Sequence, residues 1–547
     1  MASQTPPTYL EEAARPIYDD QELCQYLLRS LDAPASLEIL PSKIHLNGTG
    51  LFAKEAIAEG AEVFRSTPLV SCVDNGLYGV ICDFCFTSSA GKINPVTGHF
   101  RAKGDIMPKI NLCAECQVCG YCSKDCQKKA WKKYHKSECL ALKKIPTAFV
   151  STRALYRVLA MQKQGTLAEQ GWRAVNHLQP HRLQHYSKSG VEIILGVSMN
   201  SKTLIQSEHS LGAIQDLYCR ILTNCISIQR PLEENAGTAL DLVGAFMNHS
   251  CDPNAFVFFE NSQLRVRSLK PIQPGDEITQ TYVDDKAGMM IRGEMLRSQY
   301  FFTCECRRCD DELLELQTLS STEGFSIQTF ADTEKLLVDY LNKVDSSNAS
   351  ELDPEQVIIK LSQLTTPIFP TRDWPDAAWP MPAMHLILAK LWNSSNLYSQ
   401  AAIHATKGCL ANTRRLGPHW VAYLRDFILL LNPVVVAANA SGGWSGPGAP
   451  GPRQLLDFFN GLMHELLLQA RKTYGVDVAY YSALARWYAI QMDAPYGPLP
   501  GQKGFTKRFR VAQAKVLGWA RVDGSMGVVL SEGKAVVVGS QAGSRTG

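Results

Sequence analysis

Between Cys82 and Cys139 the chain sets four spaced ligand pairs: Cys82-Asp-Phe-Cys85, Cys113-Ala-Glu-Cys116, Cys122-Ser-Lys-Asp-Cys126 and His135-Lys-Ser-Glu-Cys139. No other feature constrains the fold as tightly. A pair separated by two or three residues offers both ligands to one ion from a single turn, and zinc takes four such ligands in a tetrahedron. Eight ligands make two closed sites, which have no open position for catalysis. Cys119 is an extra cysteine within reach of them. Of the 17 cysteines, eleven fall in these pairs, in the triplet Cys304, Cys306 and Cys309, or in the polar cluster described below. That spacing reads as metal binding rather than disulfides, so the expected location is cytoplasmic and/or nuclear.

The remaining sequence reads as an ordinary multidomain chain. Its 547 residues allow a large core, and 55 basic against 52 acidic residues exclude a whole-chain nucleic-acid binder. A basic patch must therefore be local, and Lys124, Lys128, Lys129, Lys132, Lys133 and Lys136 form one candidate. The N-terminus lacks the basic and apolar regions of a secretory signal. The nearest approach to a membrane span, Phe427 to Ala438, is short and broken by Asn432-Pro433, so a buried helix end and no membrane partner are expected.

Periodicity predicts a helix over Gln21–Leu31, strands and tight turns over Leu37–Val73, and mostly helix over 146–235 with "TNCISI" (223–228) as an exception. A hairpin is expected around Glu260-Asn261, a strand over Glu277–Thr281 and a helix over Ala287–Gln299. Helical pattern dominates from 312 to about 495, interrupted by "SGGWSGPGAPGPRQ". The stretch "NLYSQAAIHATKGCLA" has the small-residue spacing of a tetratricopeptide-type helix, without a regular period.

One stretch is either an exposed turn or a place where something is bound. "GAFMNHSCDPNAFVFF" (244–259) has apolar ends around an almost wholly polar middle. Buried polar groups cost free energy unless they are satisfied.

Two resemblances account for these features. "YCSKDCQKKAWKKYHKSEC" resembles a MYND zinc finger. That resemblance implies interleaved ligands: Cys82, Cys85, Cys122 and Cys126 on one ion, and Cys113, Cys116, His135 and Cys139 on the other. "NHSCDPN", "GDEITQTYVDD" and "CECRRC" together resemble a SET domain, and the whole layout resembles the SMYD (SET and MYND) family. The implied fold class is α+β: a β-rich SET fold interrupted by the finger, with a cysteine-rich post-SET segment and a C-terminal helical, tetratricopeptide-like domain. The expected division is an N-terminal extension (1–35), the first SET part (36–81), the finger (82–139), a helical insert (140–240), the SET core (241–285), the post-SET segment (286–312), the helical domain (313–500) and a tail (501–547).

The resemblance further implies S-adenosylmethionine-dependent methyl transfer to lysine of a protein substrate, histone or non-histone. Its expected cofactor contacts are Gly48, Thr49, Gly50, Asn224, Asn248, His249, Tyr282 and Phe302. Tyr282 is also the expected catalytic tyrosine, and Tyr300 the expected wall of the lysine channel. Asn47 and Thr49 depart from the family's glycine-rich turn. A third zinc is implied on Cys251, Cys304, Cys306 and Cys309. MYND fingers bind peptides, so proline-rich partners are expected ahead of nucleic acid. Two other readings compete: a non-catalytic adaptor, favoured by Asn47 and Thr49, and a DNA-binding regulator resting on the lysine run alone.

Overall fold

The computed structural model describes residues 16–45, 48–89, 108–230, 235–284, 286–347, 352–370, 374–376, 378–410, 417–440, 447–492 and 498–530. The chain divides into two compact units. Described residues up to 282, with 295–304, form the first, and 283–294 with 305 onward form the second.

The first unit is α+β. Among the described residues, three short antiparallel sheets carry its β part outside the cysteine-rich block, which has a two-stranded hairpin of its own. Gln263–Ser268 lies between Glu62–Ser66 and Ala255–Glu260, Gly237–Leu240 lies between Val70–Val73 and Ile226–Ser227, and Leu37–Pro41 pairs with Thr49–Ala53. The hairpin forms where expected, because Asn261 accepts a positive φ of 57° and sets Glu260 opposite Gln263. Alternation places Leu264 and Val266 in the core, fully buried.

Helices follow their caps. Asp20 accepts from Leu23 N to start Gln21–Arg29, and Ser210 accepts from Ala213 N to start Leu211–Asn224. That last helix changes one expectation. Asn224 ends it rather than lying in a strand, and the strand is only Ile226–Ser227. The expected strand Glu277–Thr281 is also absent as such. Its residues make isolated bridges to two different partners, Phe52↔Glu277 antiparallel and His249↔Gln280 parallel.

The second unit is helical from Arg307–Glu323 to Phe505–Ala520 among its described residues. Leu337, Trp374, Met384 and Leu388 lie in one of its apolar clusters. The helix Gly417–Asn439 runs unbroken through Pro433, contrary to the break expected at Asn432-Pro433. It is long and apolar enough to cross a membrane, yet half of its most apolar window is buried within the protein. Within the expected tail, 501–547, a stretch of the described residues is helical. Phe505–Ala520 is a helix whose Phe509 ring stacks 5.9 Å from Phe458, which in turn meets Phe427 at 5.8 Å.

Candidate active site and metal centres

The finger is built on a short hairpin, Asn111–Leu112 with Gly120–Tyr121, and a helical stretch from Lys124 to Lys144. Ser123 caps that stretch through Cys126 N. Its middle, Trp131–His135, is a π-helical turn, a feature that recurs at functional sites.

Two ligand sets come together as the resemblance implies. Cys82, Cys85, Cys122 and Cys126 form one group and Cys113, Cys116, His135 and Cys139 the other, each with its ligand atoms within 4.8 Å of one another. A tetrahedral zinc with ~2.3 Å bonds to sulfur needs edges of about 3.8 Å. The Sγ atoms of Cys85 and Cys122 are 3.6 Å apart, those of Cys122 and Cys126 3.6 Å, and those of Cys113 and Cys139 3.8 Å. His135 Nε2 stands 3.8 Å from Cys116 Sγ. Both donor sets fit zinc. Of the third expected set, Cys251 and Cys304 belong to the first unit and Cys306 and Cys309 to the second.

Behind the second group lies a buried ionic network that sequence reasoning missed. His135 Nδ1 pairs with Glu138 Oε1 at 3.0 Å, and Arg157 Nε donates to Glu138 Oε2 at 3.2 Å. Asp83 then accepts from Arg157 at 2.9 Å and from Arg153 at 2.8 Å. All five side chains are essentially inaccessible. Arg153 also donates to Val73 O at 2.6 Å, and Arg157 to Ser71 O. A carboxylate on the far nitrogen of a metal-binding histidine fixes its ring and tautomer. The extra cysteine, Cys119, faces this network, 3.8 Å from Arg153 and 3.9 Å from Glu138. The lysine run is not one solvated face. Lys129 pairs with Asp125 at 2.8 Å, and Lys133 turns inward to Leu69 O at 3.2 Å.

The polar middle of 244–259 is satisfied by the segment 277–282. Gln280 N donates to Asn248 O at 3.0 Å, and Ser250 N to Gln280 O at 2.9 Å. Asn254 accepts from Thr279 N at 2.8 Å and donates to Glu277 O at 2.9 Å. Asn248 Nδ2 donates to Glu277 Oε1 at 2.7 Å and to Thr49 O at 2.8 Å. Glu277 is therefore central, and sequence reading passed over it. It also accepts from Ser42 Oγ at 2.9 Å and Lys43 N at 2.7 Å. The signal was faint: the carboxylate beside Ile278 in "GDEIT" needs donors if buried.

The glycine-rich turn closes on the same carboxylate. Thr49 and Gly50 begin a strand, and a Cβ on Gly50 would lie 2.6 Å from Glu277 Oε1. Glycine is required there by protein packing. Asn47 lies outside the described residues.

His249 and Tyr282 form the centre. Tyr282 N donates to His249 Nδ1 at 3.0 Å, while His249 Nε2 stands 3.2 Å from Cys251 Sγ. Both ring nitrogens of His249 thus face protein atoms. Tyr282 Oη donates to Met247 O at 2.9 Å. Rings surround it: Tyr300 at 4.8 Å, Phe302 at 6.4 Å, and His45 edge-on to Phe302 at 4.8 Å. Burial pushes the Tyr282 phenol well above its ordinary value, with Tyr300 and Glu277 adding to the shift. Burial likewise pushes Tyr300 up to about 12. Both phenols keep their protons at neutral pH. Asn224 lies elsewhere in its bonding, donating to Gln179 O at 2.9 Å and Arg220 O at 2.8 Å.

Comparison with known proteins agrees with this architecture. The SET domain family matches residues 48–283. The chain is 30% identical over 285 residues to the human histone-lysine N-methyltransferase SMYD3, and 30% over 290 residues to the mouse N-lysine methyltransferase SMYD2. The Xenopus laevis N-lysine methyltransferase SMYD2-B is 28% identical over 287 residues. Each match covers 50% of this chain and 62% of the relative, so the likeness spans under two thirds of those proteins. What the family match shows is a SET domain within residues 48–283. Over the matched half, the chain is similar to lysine methyltransferases of the SMYD group.

Proposed function

We propose that this protein is an S-adenosylmethionine-dependent protein-lysine methyltransferase. The observation that carries the reading is the half-buried Tyr282, whose hydroxyl donates to Met247 O inside a wall of Tyr300, Phe302 and His249. The donor set suits the cofactor, because aromatic faces and carbonyl oxygens favour a cationic sulfonium. Gly48, Thr49, Gly50, Asn248, His249 and Phe302 would hold it, with Asn224 as an outlying contact. When bound, it supplies the methyl group.

The chain's own residues do the rest. Tyr282 has one proton, already given to Met247 O, so its oxygen is left as an acceptor for the N–H of the target amine. A free lysine holds its proton up to a pKa of ~10.4. An apolar channel walled by Tyr300 disfavours that charge and frees the attacking lone pair. Catalysis is then alignment and electrostatics in a site that excludes water.

Zinc would fill the two finger groups and, as the cysteine spacing suggests, the set Cys251, Cys304, Cys306 and Cys309. The exposed Trp131 gives the finger an aromatic for proline-rich peptides. Clustered thiolates favour a reducing compartment, so we place the protein in the cytoplasm or nucleus.

Calorimetry with S-adenosylmethionine, followed by labelled methyl transfer across a protein array, tests the activity. Binding with transfer to lysine is expected. Absence of cofactor binding would favour the adaptor reading.

A further inference from the structure

Beside the aromatic wall the first unit opens a cleft of ≈ 520 Å³, lined by Leu183, Gln184, Ser187, Lys188, Arg297 and Phe301 among others. The first four come from one face of the helix Arg182–Ser189. Phe301 has a φ of 64°, a left-handed conformation that a bulky side chain seldom adopts. The turn separates it from its neighbours. Tyr300 and Phe302 gather around Tyr282, whereas Phe301 packs against His185 at 4.9 Å and His181 at 5.6 Å. The channel wall and the cleft therefore share consecutive residues. A substrate chain whose lysine enters beside Tyr300 would lay a flanking residue in the adjoining cleft.

Among the described residues the lining is apolar at Leu183 and Phe301 and cationic at Lys188 and Arg297. We propose that this cleft takes an aspartate or glutamate of the substrate segment flanking the target lysine. The carboxylate meets Lys188 and Arg297 while its neighbouring chain packs on Phe301. The proposal rests on the methyltransferase reading for its geometry, and its test separates the two.

Fluorescent lysine peptides are made in matched sets, with Glu or Gln at the flanking positions. Anisotropy measures their binding with S-adenosylhomocysteine present, and labelled methyl transfer is followed in parallel. Glu peptides are expected to bind roughly 3- to 10-fold tighter at low salt, an advantage lost at about 0.5 M salt. Lys188→Glu, on an exposed position, should abolish the advantage and favour Lys-flanked peptides, changing KM and leaving kcat. Equal binding of Glu and Gln peptides, including none, or a Glu advantage retained in Lys188→Glu, overturns the assignment. A Lys188-dependent Glu preference without any methylation upholds the cleft and removes the methyltransferase reading instead.

Discussion

The backbone N–H of Tyr282 donates to Nδ1 of His249 at 3.0 Å, with the two ring centroids 5.4 Å apart. The histidine thus anchors the backbone that carries the hydroxyl, and the ring stands beside it. Removing the hydroxyl and removing the anchor should have different signatures.

Tyr282→Phe keeps the ring and its neighbours Tyr300 and Phe302. If the hydroxyl positions the amine, methyl transfer falls by about 10²-fold or more, the scale of losing a preorganised polar group. Cofactor affinity and melting temperature stay near wild type. Equal turnover in the two proteins makes Tyr282 a packing residue.

His249→Ala leaves the Tyr282 N–H without its acceptor, a loss of about 1–3 kcal/mol for a buried donor. Cofactor binding should weaken and melting should shift downward, while both finger zinc ions remain. Unchanged binding by calorimetry would place the cofactor elsewhere.

Metal analysis should find three zinc ions per chain, two of them in the finger. Glu138→Ala removes none of the eight finger ligands. It strips His135 of its carboxylate and leaves Arg157 with half its counter-charge, at a cost of about 3–5 kcal/mol. Zinc should be lost to chelators faster than from wild type. Chelator resistance equal to wild type would show that the carboxylate neither orients His135 nor supports the site. Cys251→Ala should drop the count by one.

His404 sits within the helical unit, its Nδ1 2.9 Å from His385 Nδ1, and His385 Nε2 meets Asp376 at 2.9 Å. Burial, then the charge of His385, lowers the His404 pKa from 6.5 to about 3. A depressed histidine leaves stability intact above the unfolded value and loses it on acidification. Between pH 6.5 and 3 the unfolded chain takes up a proton that the folded one refuses. The stability difference between wild type and His404→Gln should therefore be flat above pH 6.5 and shrink by about 1.4 kcal/mol per unit below it. Denaturant midpoints across that range check the slope. A constant difference would mean that His404 titrates normally.

What the sequence disclosed follows from how local each signal is. Ligand spacing, the Asn261 turn and the Tyr282 motif are written within a few residues. Glu277 was overlooked because its partners, Ser42, Lys43 and Asn248, lie up to 235 positions away. Asn224 was assigned to a strand from "TNCISI", but the helix capped at Ser210 carries on to it and holds its amide on Arg220 O. Pro433 looked like a break because proline lacks a backbone donor. The buried residues around it, Phe427, Leu431, Val434 and Val435, keep the helix continuous. The helix at Phe505–Ala520 was hidden beside a glycine-rich tail, and its order comes from the distant Phe458.

The guanidiniums of Arg153 and Arg157 have a bearing on modularity. They grow from the helix Val150–Lys163, outside the finger, yet both carboxylates that neutralise them, Asp83 and Glu138, lie within it. Excising the finger would strand two cations in a dry interior, at several kcal/mol each, comparable with the whole stability of a domain. The finger is consequently not a detachable cassette. Truncations that drop it remove the counter-ions of the helix Val150–Lys163, so a loss of function in them would report on folding and say nothing about what the finger binds.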